Sequence, residues 1–270
     1  MKKVVLITGA SSGIGKETAK ALASKGFAIY AVARRVDRMQ ELKEHGIRVF
    51  QMDVTDEESM IKVVNEIINS EKQIDVLINN AGYGSFGALE DVSISEAKKQ
   101  FEVNIFGLAR LTQIVLPHMR ERRAGRIINV SSMGGKFGEP HGVWYHSTKF
   151  ALEGLSDCLR MELDQFGIDV VIIEPGMIKT QWDMIARENL IKASGSTAYR
   201  DLALKHADSL SKNYKKGSEP TVIAEAIVKA VMANRPKTRY VAGAMANFIL
   251  FVKRILPDRI FDAIMLGQLK

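Results

Sequence analysis

The sequence predicts an α/β fold, a doubly wound seven-stranded parallel sheet with helices on both faces, a helical lid over residues 181–219 and an amphipathic C-terminal tail over residues 244–270. Three observations predict it. Short β-branched runs alternate with longer amphipathic stretches from residue 3 to about residue 180, the pattern of β-α-β units. A glycine-rich turn joins the first such run to the first amphipathic stretch. The 270 residues are 46% hydrophobic, enough for the core of one such domain over residues 1–270, and no linker or repeat divides them.

Residues 3–8 read as the first strand and residues 13–25 as a helix stopped by Gly26, which accepts the left-handed conformation. Residues 27–32 return as the second strand. A helix over about 37–45 stops at Gly46, and a third strand over 48–52 ends at Asp53. Thr55 and Glu58 have the spacing of a capping box, in which hydroxyl and carboxylate each satisfy an orphaned backbone N–H, so they open the third helix. Residues 76–79 form the fourth strand. Ser93 and Glu96 form a second capping box, starting a helical stretch through Arg110 to about Arg123 with a bend at Asn104 or Pro117. A strand over 126–130, a helix over 144–166 and a strand over 169–174 follow. Residues 221–234 form a helix entered after Pro220, and residues 239–242 a seventh strand. Between Gln181 and Glu219 no strand signal appears. That segment is too long for an ordinary connection and reads as a helical lid over the substrate.

Composition excludes several classes. The single cysteine, Cys158, rules out a disulfide framework and a cysteine-rich zinc site and suits a reducing compartment. His45, His118, His141, His146 and His206 lack zinc-ligand spacing, so no metal is expected. The apolar run after Met1-Lys2-Lys3 ends at Thr8-Gly9, short of the roughly 7 to 15 residues of an export segment. No stretch approaches the roughly 18 apolar residues of a membrane span, and a cytoplasmic protein is expected. The net charge of +7 favours an anionic ligand, nucleic acid or a lipid surface. Seven basic residues against two acidic ones between Arg235 and Lys270 place most of that imbalance in the tail.

After the first strand stands Thr8-Gly9-Ala10-Ser11-Ser12-Gly13-Ile14-Gly15. Glycines at 9, 13 and 15 let the chain turn sharply, bring bare N–H groups to a pyrophosphate and pack helix on sheet, and the helix N-terminus favours the anion. The second strand ends Ala31-Val32-Ala33-Arg34-Arg35. An NAD-preferring site places a carboxylate there, which repels a 2′-phosphate. Ala33 supplies no repulsion, and Arg34, helped by Arg35 and Ser11, can donate charge-assisted bonds to the phosphate. NADP(H) is therefore expected over NAD(H). Asp53, followed by Val54, sits where the adenine edge would lie, with helix capping as the rival role.

Tyr145 and Lys149, four residues apart at the start of a helix, project from one face. A phenol of pKa about 10 is a poor base near neutrality, and lowering it about three units requires roughly 4 kcal/mol. One cation at about 5 Å, at an effective dielectric near 20, supplies roughly 3 kcal/mol. Ser132 ends the fifth strand, at the carboxyl edge where doubly wound folds bind ligands.

Together the glycine turn, Asn79-Asn80-Ala81-Gly82, Asn104, Ser132, Tyr145, Lys149 and Pro175-Gly176 resemble the single-domain short-chain dehydrogenase/reductases of the Rossmann type, over roughly residues 1 to 180 and in the expected order. The family's interval before the tyrosine selects Ser132 over Ser131. The resemblance implies that Tyr145 is the general acid/base, Ser132 orients the carbonyl, Lys149 binds the nicotinamide ribose and tunes Tyr145, and Asn104 holds a proton-relay water. It further implies that the cofactor lies along Gly9, Ser11 to Gly15, Arg34, Arg35, Asp53, Val54, Asn80 to Gly82, Pro175, Gly176 and Ile178, with Thr180 on the carboxamide. Each has a plainer alternative: Asn80 stabilises the sheet, Asn104 kinks a helix, Thr180 caps one.

The segment Tyr145 to Gly154 resembles the hydroxysteroid and retinol dehydrogenase branch, implying a lipophilic ketone or alcohol, with Met133, Trp144, Met177, Trp182 and Met184 available to line an apolar pocket. A 3-oxoacyl-carrier reductase is the alternative substrate class. An NADP-binding sensor and a basic nucleic-acid binder are non-catalytic alternatives, but the Tyr/Lys pair is intact and no nucleic-acid module is recognisable. The family implies a homodimer or homotetramer paired through helices around residues 96–123 and 147–166, near Cys158. In the tail, Phe248, Val252 and Ile255 share a face, continued by Ile260, Phe261, Ile264 and Met265, with Lys253 and Arg254 turned away. The tail covers the pocket or contacts a second subunit; peripheral contact with an anionic membrane is the further option.

Overall fold

A computed structural model describes residues 2–269. Among these, strands β1 (Val4–Thr8), β2 (Ala28–Ala33), β3 (Arg48–Gln51), β4 (Val76–Asn79), β5 (Gly125–Val130), β6 (Ile168–Pro175) and β7 (Arg239–Ala242) run parallel in the order β3-β2-β1-β4-β5-β6-β7. The strands are short apolar runs because both faces are covered. Val5 and Ile7 of β1 point to a core shared with α1 (Gly13–Ser24) and α8 (Pro220–Met232), through Ala19, Leu22, Ile223 and Ile227. Val4 and Leu6 point the other way, to Val64 and Ile67 of α2 (Glu57–Glu71), Leu111 and Val115 of α4 (Gly107–Glu121) and Leu163 of α5 (Val143–Asp164). The period of two along β1 thus builds both layers.

From β1 the chain moves outward through α1 to β2 and β3, then crosses back over α2 to β4 on the other side of β1. The order reverses between β1 and β4, and a crevice opens beyond their carboxyl ends. All sequence-predicted strands are present. The second helix is instead a 3₁₀ segment, Val36–His45, closed by Gly46 at φ 71°.

Two local expectations are corrected. The N-cap of α2 is Asp56, whose carboxylate accepts from the N–H groups of Glu58 (3.1 Å) and Ser59 (3.3 Å), because Thr55 is turned back onto Asp53 by bonds from its N–H and hydroxyl, both 2.9 Å. The bend of the long helix lies at Asn104, not Pro117. Helix α3 (Ile94–Phe101) passes through a π turn, Glu102–Phe106, into α4, whereas Pro117 falls near the end of α4, where one lost hydrogen bond is tolerated. At Ser93 only half the box forms. Its hydroxyl accepts from Glu96 N–H (3.2 Å), while the Glu96 carboxylate accepts from Tyr83.

The segment between β6 and α8 contains α6 (Trp182–Ser194) and α7 (Arg200–Lys215), packed through Ala186, Leu190, Ala203 and Ala207 onto Phe86 and Tyr145. After β7 come α9 (Ala246–Ile255) and α10 (Asp258–Gly267), separated by Pro257. Buried Phe261 of α10 rests on Phe137, ring centroids 5.5 Å apart.

A polar ladder crosses the centre of the sheet. The Asn79 amide donates to Asn129 Oδ1 (2.9 Å) and Thr112 (3.1 Å), and the Asn129 amide donates to Ser156 on α5 (2.9 Å). All four side chains are buried, so each lost partner leaves an unsatisfied group. Asn129→Ala is expected to cost about 1–3 kcal/mol, read as a lower urea midpoint at unchanged slope. An unmoved midpoint would show that the ladder carries no stability.

Candidate active site

The glycine turn occupies the crevice. Gly9 has φ 68°, and a Cβ there would lie 2.9 Å from Ala81 Cα and from Asn80 Nδ2. At Gly15 a Cβ would come within 2.5 Å of Asn80 Nδ2 and of the Gly9 carbonyl oxygen, so side chains at either position would pry α1 off the sheet. Ser12 precedes α1 without a capping side-chain bond, and the first turn contains no acidic residue. Its N–H groups face the crevice unopposed, the electrostatics of an anion site.

The ends of β1 and β4 are tied across the reversal point. Thr8 Oγ1 accepts from the N–H groups of Asn80 and Ala81, both 3.0 Å, and the Asn80 amide donates to the carbonyls of Thr8 (3.0 Å) and Gly9 (3.3 Å). Asn80 therefore orders the turn and also lines the groove beyond it. Asn104 does the same one step away. Its Oδ1 accepts from Tyr83 N–H (3.1 Å), and its Nδ2 donates to the Tyr83 carbonyl (3.0 Å) and Thr148 (3.1 Å). Its side chain clamps the loop after β4 at Tyr83.

A groove of about 300 Å³ runs over these ends. Of the sequence-predicted residues it is lined by Gly9, Ser11, Ser12, Gly13, Ile14, Arg34, Arg35, Asp53, Val54, Asn80, Ala81, Gly82, Ser132, Tyr145, Lys149, Pro175, Gly176, Ile178 and Thr180. Gly15 and Asn104 stand behind the wall. Arg34 and Arg35 are exposed at one end and, among the described residues, form no ion pair. Thr180 presses its methyl toward Gly13 and accepts from Trp182 N–H (3.3 Å), while Gln181 stands at the N-cap of α6 without a side-chain capping bond.

At the other end, Ser132 and Tyr145 face the groove, and Ser132 Oγ accepts from Gly134 N–H (3.0 Å). Burial pushes the Tyr145 phenol up to about 12, with the Ser132 hydroxyl working the other way and the Glu139 charge adding to the rise. Burial lowers Lys149 to about 8 against the pull of Glu153. Its ammonium donates to the Val130 carbonyl (3.0 Å) and lies 5.9 Å from the Tyr145 ring centre. In the protein alone desolvation dominates the phenol, and the group that works against it is the Ser132 hydroxyl.

Aromatic rings roof the phenol. Trp182 lies 5.0 Å and Phe86 5.7 Å from Tyr145 between centroids, and Tyr214 stacks on Trp182 at 5.6 Å. A second cavity of about 800 Å³ lies between α7, the loop after β5 and the tail, lined in part by Met133, Phe137, Met177, Ile249, Met265 and Leu269. The tail's inner face thus covers a pocket. Met133 and Met177 belong to its wall as expected, and Trp182 belongs to the groove. Trp144 instead packs on Phe101, and Met184 is exposed, because their helical positions turn them away.

Sequence reasoning missed Thr8, Tyr83, Gln181 and Tyr214 in the groove and Glu139 and His206 in the cavity. Thr8, the residue before Gly9, was the one legible in principle, from its place at a strand end.

Fold and site define a dinucleotide-binding oxidoreductase class: parallel sheet, glycine turn at the reversal point, and serine, tyrosine and lysine meeting on one groove wall. The short chain dehydrogenase family model matches residues 3–190, and the chain belongs to that family. It is 36% identical over 269 residues to a probable short-chain type dehydrogenase/reductase, VdlC, of Helicobacter pylori, covering 98% of both chains. It is 36% identical over 263 residues to the 3-ketodihydrosphingosine reductase of Bacteroides thetaiotaomicron, covering 96% of this chain and 95% of that one. A short-chain dehydrogenase structure from Streptomyces avermitilis superposes with TM-score 0.80 at 33% identity, over 93% of this chain and 91% of its own. An alcohol dehydrogenase from Thermococcus sibiricus, solved with 5-hydroxy-NADP, gives 0.74 at 26% identity, over 91% and 98%.

Proposed function

We propose that the protein is an NADP(H)-dependent oxidoreductase that interconverts a lipophilic ketone and its secondary alcohol. The observation that carries the reading is the convergence of Ser132, Tyr145 and Lys149 on the groove that begins at the uncapped N-terminus of α1. The groove fits a dinucleotide, since the first turn of α1, uncapped and without an acidic residue, opens onto it beside Gly9, Ser11 and Ser12. When bound, the reduced nicotinamide supplies hydride to the carbonyl carbon. Tyr145 gives its proton to the carbonyl oxygen while Ser132 donates a hydrogen bond to the charge developing there. A phenol held at about 12 keeps that proton throughout neutral pH, which suits the reductive direction. Lys149 sets a positive charge beside the phenol, favouring the phenolate that remains. Asn104 and Thr148 act as positioning residues that fix the loop of residues 80–83.

A lipophilic substrate is supported by the methionines and aliphatics of the larger cavity, and by the chemistry named for the Bacteroides relative. Lysines 205, 212 and 216 at its mouth favour a second reading, a 3-oxoacyl substrate on an anionic carrier. NADP(H) over NAD(H) is supported by Arg34 and Arg35, free of ion pairs among the described residues beside Ala33. A homo-oligomer is supported by the stripe of Phe150, Cys158 and Met161 left exposed on α5, with Phe106 also exposed on the π turn. No described helix is long and apolar enough to cross a membrane. Peripheral contact with an anionic bilayer is supported by the tail's outer face, where Phe248, Phe251, Ile255, Ile260 and Ile264 are exposed beside Arg254 and Arg259.

Tyr145→Phe should abolish NADPH-linked ketone reduction while leaving NADPH affinity by fluorescence titration within about threefold; retained turnover refutes the role of the phenol. Arg34→Ala should raise the KM for NADPH at least about tenfold and hardly move that for NADH, since a charge-assisted bond to phosphate is worth about 1.5–3 kcal/mol; equal changes defeat the preference. Vesicles rich in phosphatidylserine should co-sediment the protein at low salt, and Phe248→Ser with Phe251→Ser should release it. Absence of wild-type binding removes membrane contact from the reading.

A further inference from the structure

We propose that Glu153 is a positioning residue for the reaction: its buried carboxylate, held by Lys136 and Arg239 one helical turn beyond Lys149, keeps the Lys149 ammonium charged and seats the turn of Ser132 on α5. This deepens the oxidoreductase reading and rests on it for the chemistry that Lys149 serves.

Tyr145, Lys149 and Glu153 follow one another at four-residue intervals on the buried face of α5. Side chains on a helix lean toward its N-terminus, so Glu153 leans toward Lys149 as Lys149 leans toward Tyr145. Little water reaches the row, since Glu153 is 5% exposed and Lys149 8%. A carboxylate so buried needs cations, and two reach it from other elements. Lys136 Nζ, on the turn that follows Ser132, donates to Glu153 Oε2 (2.6 Å), and Arg239 of β7 donates to the same oxygen from Nη2 (3.0 Å) and Nε (3.2 Å). Among the described residues Oε1 has no hydrogen-bond partner. Its charge acts through space, and Lys149 is the cation next to it on the row.

The other charges around Glu153 leave that role to it. Glu174, at the end of β6 before Pro175 and Gly176, stands 3.5 Å from Lys136 and 3.4 Å from Arg239, and burial together with the Glu153 charge pushes its carboxyl up. Asp157, a turn further along α5, is taken by Arg239 (2.7 Å) and Arg160 (2.5 Å). For Lys149, burial works against the charge and Glu153 is the group that works for it. The cluster also places the serine. A Cβ on Gly135 would lie 3.0 Å from Glu153 Cγ and 3.1 Å from the Lys149 carbonyl oxygen, so the turn between Ser132 and Lys136 rests directly on α5 at these two residues. The Lys136 ion pair then locks it there.

The test is an NMR titration of protein isotopically labelled at the lysine ε carbons, with the Lys149 signal assigned by its absence from Lys149→Met. Removing an anion destabilises a neighbouring ammonium, so in Glu153→Gln Lys149 should titrate at least about half a pH unit lower than in the wild type. Lys136→Met takes a cation off Glu153 and should move the titration upward. Asp157→Asn, whose loss loosens the same helix face, should leave it within about 0.2 pH unit. An unmoved Lys149 in Glu153→Gln, or an equal fall in Asp157→Asn, which marks a merely structural effect, overturns the inference. Should Glu153→Gln not fold, Lys136→Met decides, and an unmoved or lower titration there overturns it. In NADPH-linked reduction of methyl ketones of graded chain length, the alkaline limb of kcat/KM should move to lower pH with Lys149 in Glu153→Gln. A limb that stays while Lys149 moves takes Lys149 out of the reaction, and this inference with it. Turnover of none of the ketones by the wild type sinks the oxidoreductase reading and leaves the titration result standing.

Discussion

The joint between β1 and β4 is the constraint on which the rest depends. Two parallel strands whose following helices leave in opposite directions must part at their carboxyl ends, and parting exposes backbone that needs partners. Thr8 and Asn80 supply those partners with five hydrogen bonds across the gap, the fifth running from the Thr8 hydroxyl to the Ile78 carbonyl (3.4 Å). The glycines then become a steric necessity. Asn80 can reach the Gly9 carbonyl only if nothing projects from Gly9 or Gly15. The same closeness leaves α1's first N–H groups bare at the mouth of the crevice, so packing and anion affinity have one cause.

From that joint, rigidity passes outward through polar side chains rather than through the apolar core. Asn79, next to Asn80, leads through Asn129 to Ser156 on α5; Asn104 and Thr148 hold the loop after β4 against the turn in which Tyr145 lies. The phenol and the ammonium on α5 and the serine after β5 thereby stand on two elements whose relative positions are fixed by directional bonds. Asn104 lies within a π turn, where an inserted residue re-aims the side chain toward the neighbouring loop.

The strands, the glycine turn and the Ser/Tyr/Lys set were legible in the sequence because each depends on local pattern: a period of two, a need for absent Cβ atoms, a one-turn spacing on a helix. The 3₁₀ form of Val36–His45 and the shift of the α2 cap to Asp56 were not, since near-equal local options were decided by which neighbour Asp53 captured. Glu139 with His206 was invisible for another reason. His141 and His206 are sixty-five residues apart, and only packing of α7 against the loop after β5 joins them. Asn80, Asn104 and Thr180 show the limit between the two cases: their positions could be read, but which hydrogen bonds they make depends on atoms brought from other strands.

The acidity of Tyr145 follows first from the lid. Phe86, Trp182 and Tyr214 exclude water from the phenol, and desolvation raises its pKa more than the hydrogen bond with Ser132 lowers it. The same burial brings Lys149 down to about 8, so both members of the pair are destabilised in their charged forms by one cause. A roof that lifted would relax both toward their ordinary values and admit water to the reacting oxygen. Closure of α6 over the groove therefore does two things together: it keeps the proton on the tyrosine, and it reserves that proton for a carbonyl oxygen that has displaced water. The tail contributes by the same logic from the far side, where Phe261 braces Phe137 and Phe137 braces His146, holding the loop between Ser132 and Tyr145 against the cavity it lines.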